Sequence, residues 1–81
     1  MPEFEVHQPE FEIQVNLNGA DETLTVKPEE TSDGVSFYSC LLHSKPLTQI
    51  RWDENGSWEQ LWGHLHQPEI NIIGAAIKAR Q

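Results

Sequence analysis

The chain has 81 residues, 37% of them hydrophobic, and sets 13 acids against five lysines and arginines for a net charge of −8. That balance argues against nucleic acid and anionic membranes as partners, since both are bound through basic surface. No apolar run approaches the ~18 residues of a membrane span, the acidic, proline-broken start MPEFEVHQPEF is no secretory signal, and the lone Cys40 rules out an internal disulfide, so the expected setting is soluble and cytoplasmic.

The acidity is one-sided. Residues 1–34 hold nine acids and one base, whereas residues 35–81 hold four of each. Such an excess serves solubility, or forms an acidic face that steers a basic partner.

In chain order, PEFEVHQ (2–8) and PEFEIQV (9–15) form an imperfect tandem repeat. Both alternate like strands, but Phe4 and Val6 fall on even numbers while Phe11, Ile13, Val15 and Leu17 fall on odd ones. In a continuous strand the two sets would face opposite sides. Pro9 cannot donate to a ladder, so a break is expected there, with residues 1–9 as an edge strand or mobile arm. FEIQVNL is the clearest strand, and TLTVKP follows it. Asn18-Gly19 suits a two-residue hairpin turn, but a four-residue loop, Asn18 to Asp21, would pair Val15 with Leu24 and Ile13 with Val26. The hydrophobic pattern favours the longer loop.

PEETSDG (28–34) reads as a polar connection. VSFYSCLL (35–42) is apolar on both faces and reads as a central strand. HSKP (43–46) turns the chain into LTQIRW, with a register that the pattern leaves open. QPEINIIGAAIKARQ reads as a helix. Pro68 suits its first position, Glu69 the positive end of its dipole, and Lys78 and Arg80 its last turn. Ile70, Ile73, Gly74 and Ile77 form one stripe. Gly74 costs about 0.8–1 kcal/mol against alanine in mid-helix, which close approach to the sheet would explain.

Strands followed by one helix give an α+β domain: an antiparallel meander of four to five strands over residues 10–66, with a helix over 67–80 on one face. An antiparallel sheet tolerates solvent on the opposite face. Apolar side chains on that face would mark a dimer or partner surface.

RWDENGSWEQLW (51–62) carries all three tryptophans. A two-residue Asn55-Gly56 turn would pair Trp52 with Glu59 and Asp53 with Trp58, whereas a three-residue loop ending on a left-handed Gly56 pairs Trp52 with Trp58 and Arg51 with Glu59; the second gives an aromatic pair on one face and an ion pair on the other and is the expected register. Continued alternation puts Trp62 on the face of Trp58. The row Trp52, Trp58, Trp62 then has two readings: core beneath the helix, or an exposed platform for a sugar, peptide or protein. Which one holds depends on the face that the helix covers. His64 and His66, two apart, are weak metal candidates. A zinc site needs a third or fourth ligand, for which His7, His43 or a glutamate would have to converge. Otherwise they are loop histidines before a helix cap. Ser36, Ser39, Ser44 and Cys40 lie in no activating motif, and no glycine-rich phosphate loop is present. The reading implies no catalytic residue and no cofactor.

The hairpin ending in NGSW (55–58) and the terminal helix segment IGAAIKAR (73–80) resemble small uncharacterised bacterial proteins of the Bacteroidetes type. The resemblance spans roughly residues 11–80. It implies a sheet with a C-terminal helix and a bacterial cytoplasmic setting, and carries over no site residues. The expected role is a non-catalytic interaction or accessory module. Its partner would be another protein or a second copy, met through the helix-free sheet face or the N-terminal edge strand. The alternative is a small-ligand binder using the tryptophan row.

Overall fold

The computed structural model describes residues 9–80, so the expectations for residues 1–8, the edge strand or arm and a contribution from His7, lie outside it. Five strands, β1 (Phe11–Leu17), β2 (Ala20–Glu30), β3 (Ser36–Leu42), β4 (Lys45–Asp53) and β5 (Ser57–Gly63), precede α1 (Gln67–Arg80). The sheet is an antiparallel meander in the order β1-β2-β3-β4-β5, so the fold is α+β.

The first hairpin departs from the expected register. Its loop has two residues, Asn18 and Gly19, with φ of 54° and 84°. Val15 faces Glu22 and Ile13 faces Leu24. A shift of two residues keeps every side chain on its face, so the hydrophobic pattern could not decide between the registers. The turn decides: two successive positive φ values match the right-handed strand twist, and Asn-Gly adopts them most readily. The chosen register also sets Asn16 opposite Asp21, where the Asn16 amide donates to the carboxylate at 3.0 Å.

β2 runs on through Pro28 to Glu30, into the stretch expected to be a connection. A proline is tolerated there because even-numbered β2 residues turn their backbone toward β1, and β1 pairing stops at Phe11, opposite Val26. The β3–β4 turn is again of two residues, His43 and Ser44, at φ 54° and 68°.

β3 and β4 slip register between Cys40 and Leu41, and β4 and β5 between Gln49 and Ile50. Such bulges bend and twist a sheet. Here the bend is large. Five strands about 4.8 Å apart set the outer two about 19 Å from each other, yet α1, about 10 Å across, packs against both β1 and β5 as well as β4. The sheet therefore curls around the helix.

Ile13, Val15, Leu17, Leu24, Val26, Cys40, Ile50 and Trp58 line the concave side, and Ile70, Ile73 and Ile77 meet them from the helix stripe. The helix spans the expected residues 67–80, with Gln67 in its first position and Pro68 in its second. His66 occupies the cap position, and the Glu69 carboxylate accepts the His66 N–H at 2.9 Å and the Asn18 side-chain amide at 2.7 Å. That buried carboxylate satisfies a helix-end donor, complements the dipole and ties the first hairpin to α1.

Candidate functional site

The β4–β5 hairpin forms as its residues dictate. Asp53 faces Ser57 across a loop of Glu54, Asn55 and Gly56, and Gly56 takes φ 90°. Gly56 N–H donates to the Asp53 carbonyl at 2.8 Å, and the Asp53 carboxylate accepts from Asn55 N–H at 3.3 Å. Trp52 pairs with Trp58 and Arg51 with Glu59. The indoles meet edge to face at 5.3 Å and 66°. On the reverse side Arg51 Nε donates to Glu59 at 2.8 Å.

The helix lies over the Trp52–Trp58 side. Trp58 is 8% exposed and packs 6.0 Å from the Tyr38 ring. Gly74 sits directly on its indole: a Cβ there would overlap Nε1, Cε2 and Cδ1 of Trp58. The glycine in the apolar stripe is thus the point where the helix backbone meets the sheet. Trp52, at the rim of this packing, is 40% exposed and has the Lys78 ammonium 3.2 Å from its ring centroid. Its outer face already carries a cation–π contact.

Trp62 does not join this row. Leu61 is an additional residue in β5, so Gln60 still faces Ile50 but Trp62 faces Gln49 and Gly63 faces Thr48. The bulge reverses the alternation beyond it and moves Trp62 to the helix-free face, which corrects the expectation of a shared face. Two devices hold the bulge. Thr48 Oγ1 donates to Gln60 Oε1 at 2.7 Å and lies 3.0 Å from the Trp62 carbonyl. Gly63 takes φ 121°, and a Cβ on it would lie 2.6 Å from Gln60 Oε1 and 2.9 Å from the Leu47 carbonyl. Gly63 was the available signal in the sequence, because a glycine inside a strand marks a bulge or a close backbone approach.

The register thus builds a second face, on the side of the sheet away from the helix. Its centre is the Ser39–Gln49 pair, in which the Gln49 amide donates to Ser39 Oγ at 3.2 Å. Phe37 and Leu41 flank Ser39 along β3, Thr25 faces Leu41, and Trp62 faces Gln49. Trp62 is 52% exposed and Leu61 beside it 45%. The cations of this face are paired, Lys27 with Glu10 at 3.7 Å and Arg51 with Glu59 at 2.8 Å. Glu12 and Glu29 lie on the same side, so a neutral, partly apolar centre has an acidic margin.

The remaining candidates separate. His64 and His66 are exposed in the β5–α1 loop, His66 as the helix cap. Among the described residues no group of three or more histidines, cysteines or carboxylates is placed to hold a metal ion. Cys40 is buried, and burial pushes its thiol up to about 12, far from a thiolate at neutral pH. No described helix is long and apolar enough to cross a membrane.

No family model, curated protein or solved structure matches the chain, so the resemblance to the Bacteroidetes-type proteins gains no support from these comparisons.

Proposed function

We propose that the chain is a non-catalytic interaction module that docks a basic protein segment on its helix-free sheet face. The observation that carries this reading is the placement of Trp62. A bulge and a strained glycine deliver a large aromatic ring to the one sheet face that the helix leaves open. There it stands 52% exposed opposite Gln49, on the face that also carries Phe37 and Leu41. Exposed aromatic residues at the centre of a patch are the usual anchors of protein recognition. The margin selects the sign of the partner: with Glu12 and Glu29 at that margin, lysine or arginine flanking an apolar residue is the complementary chemistry. The same charge disfavours a second copy, which would bring its own −8 to the contact. The platform reading of the tryptophan row has less support. Trp58 is beneath Gly74, Trp52 beneath Lys78, and Trp62 is on the other side of the sheet.

Selection of a random peptide library against the immobilised chain, with Trp62→Arg as the counter-target, tests the proposal. The expected outcome is enrichment of apolar peptides flanked by lysine or arginine, with binding that weakens in salt and is lost in the variant. No enrichment, or peptides that bind Trp62→Arg equally well, would contradict it.

A further inference from the structure

Asn-Gly occurs twice in the chain, and both pairs, Asn18-Gly19 and Asn55-Gly56, lie in hairpin turns. The dipeptide is chemically labile as well as turn-forming. Glycine has no Cβ to shield its amide nitrogen, and that nitrogen can attack the side-chain carbonyl carbon of the preceding asparagine, a thermolabile residue. In both turns a Cβ on the glycine would meet nothing within 4 Å, so neither nitrogen is shielded by neighbouring atoms. The two sites differ in their hydrogen bonds.

At Asn55 both reacting groups are engaged. Gly56 N–H donates to the Asp53 carbonyl at 2.8 Å. The Asp53 carboxylate accepts from the Asn55 N–H and from its side-chain amide, at 3.3 Å each. The nucleophile is held, and a carboxylate beside it opposes the negative charge that attack requires. At Asn18 the nucleophile is free. The strand pair that closes this turn is Leu17 with Ala20, and among the described residues nothing accepts from Gly19 N–H. Asn18 is exposed, so water reaches it. Its amide Nδ2 donates to Glu69 Oε2 at 2.7 Å, which places an acceptor on the leaving group.

We propose that Asn18 is a deamidation site whose reaction unties the first hairpin from α1. Gly19 N gives its proton to solvent and bonds to Asn18 Cγ. The Cγ–Nδ2 bond breaks, and the nitrogen takes a proton from solvent and leaves as ammonia, so a succinimide ring remains. One water then opens the ring, at Cγ to give aspartate or at the main-chain carbonyl to give isoaspartate. The net change is one amide and one water to one carboxylate and one ammonium. A donor to Glu69 thereby becomes a second carboxylate facing it. Glu69 is buried and also accepts the His66 N–H at 2.9 Å, so it cannot turn away without uncapping the helix. Like charges at that distance repel, and the contact that yields is the one between turn and helix.

Ageing the full chain in warm, mildly alkaline buffer tests the site, with peptide mapping by mass spectrometry to follow each asparagine. The expected result is faster conversion at Asn18 than at Asn55 in the native chain, and similar rates at both in urea, where the turns are lost. Conversion at Asn18 no faster than at Asn55 in the native chain would overturn the assignment. The consequence is read by thermal melting of Asn18→Asp and Asn18→Gly. Both lack the donor and both accept a positive φ, but only the first adds a charge. Asn18→Asp should melt about 5 °C or more below Asn18→Gly. Equal melting of the two variants would overturn the untying.

Discussion

Gly74→Ala sets two terms of opposite sign against each other. In an exposed helix interior the change stabilises by about 0.8–1 kcal/mol. Here the new methyl would overlap the Trp58 indole at Nε1, Cε2 and Cδ1. The ring cannot swing aside freely, because Trp52 packs on it at 5.3 Å and Tyr38 at 6.0 Å. Overpacking of a tight core costs about 1–3 kcal/mol, and a rigid ring braced on both sides belongs at the upper end. The net is a loss of about 1–2 kcal/mol, or roughly 5–15 °C in Tm for a domain this small. Thermal denaturation followed by circular dichroism reads it directly. Repeating the substitution in a Trp58→Phe background isolates the cause: with the smaller ring the methyl has room, and the helix-propensity gain should return. A rise in Tm for Gly74→Ala in the wild-type background would refute the close approach. An equal loss in both backgrounds would show that the indole is not what the methyl meets.

Gly63→Ala should destabilise by about 2 kcal/mol or more, from the left-handed backbone at φ 121° and the contacts at 2.6 and 2.9 Å, and chemical denaturation measures it. Ser44→Gly should raise stability by about 1 kcal/mol, because Ser44 holds φ 68° in a turn that glycine adopts freely; an unchanged denaturation midpoint would contradict the turn. Cys40 gives a pH dependence. Its thiol ionises near 9 when unfolded but keeps its proton up to about 12 in the fold, so its contribution is present below 9 and is lost as pH rises toward 12. Stability measured against pH should shift in favour of Cys40→Val across that window, and a constant difference between the two proteins would count against burial of the thiol.

The fold was legible because its signals agree. The alternation in FEIQVNL, the two-sided apolar run of β3, the Asn55-Gly56 turn and the isoleucine stripe around Gly74 each point to one element, and the elements form one sheet and one helix. Loop chemistry left two registers for Trp52, and the favourable cross-strand pairs, Trp52 with Trp58 and Arg51 with Glu59, selected the one observed. What was not legible turned on offsets of one or two residues. The first hairpin admitted two registers that bury the same side chains, and only the turn separates them. Beyond Leu61 a single inserted residue reverses which face Trp62 takes, and periodicity read across the insertion puts it on the wrong one. Gly63 marked that place, but the glycine alone does not say which side of it the strand slips. The candidate face was illegible for the same reason: it depends on the bulge and on which side the helix takes, and both are properties of the assembled sheet.

The division of the three tryptophans between two faces underlies the docking proposal, and it can be measured in the intact chain. In a nitrogen-15 spectrum each indole N–H gives its own signal, assignable by tryptophan-to-phenylalanine variants, and a soluble gadolinium chelate relaxes each according to its distance from solvent. The account predicts strong relaxation of Trp62, intermediate relaxation of Trp52 and little of Trp58. A shielded Trp62 or a strongly relaxed Trp58 would contradict it.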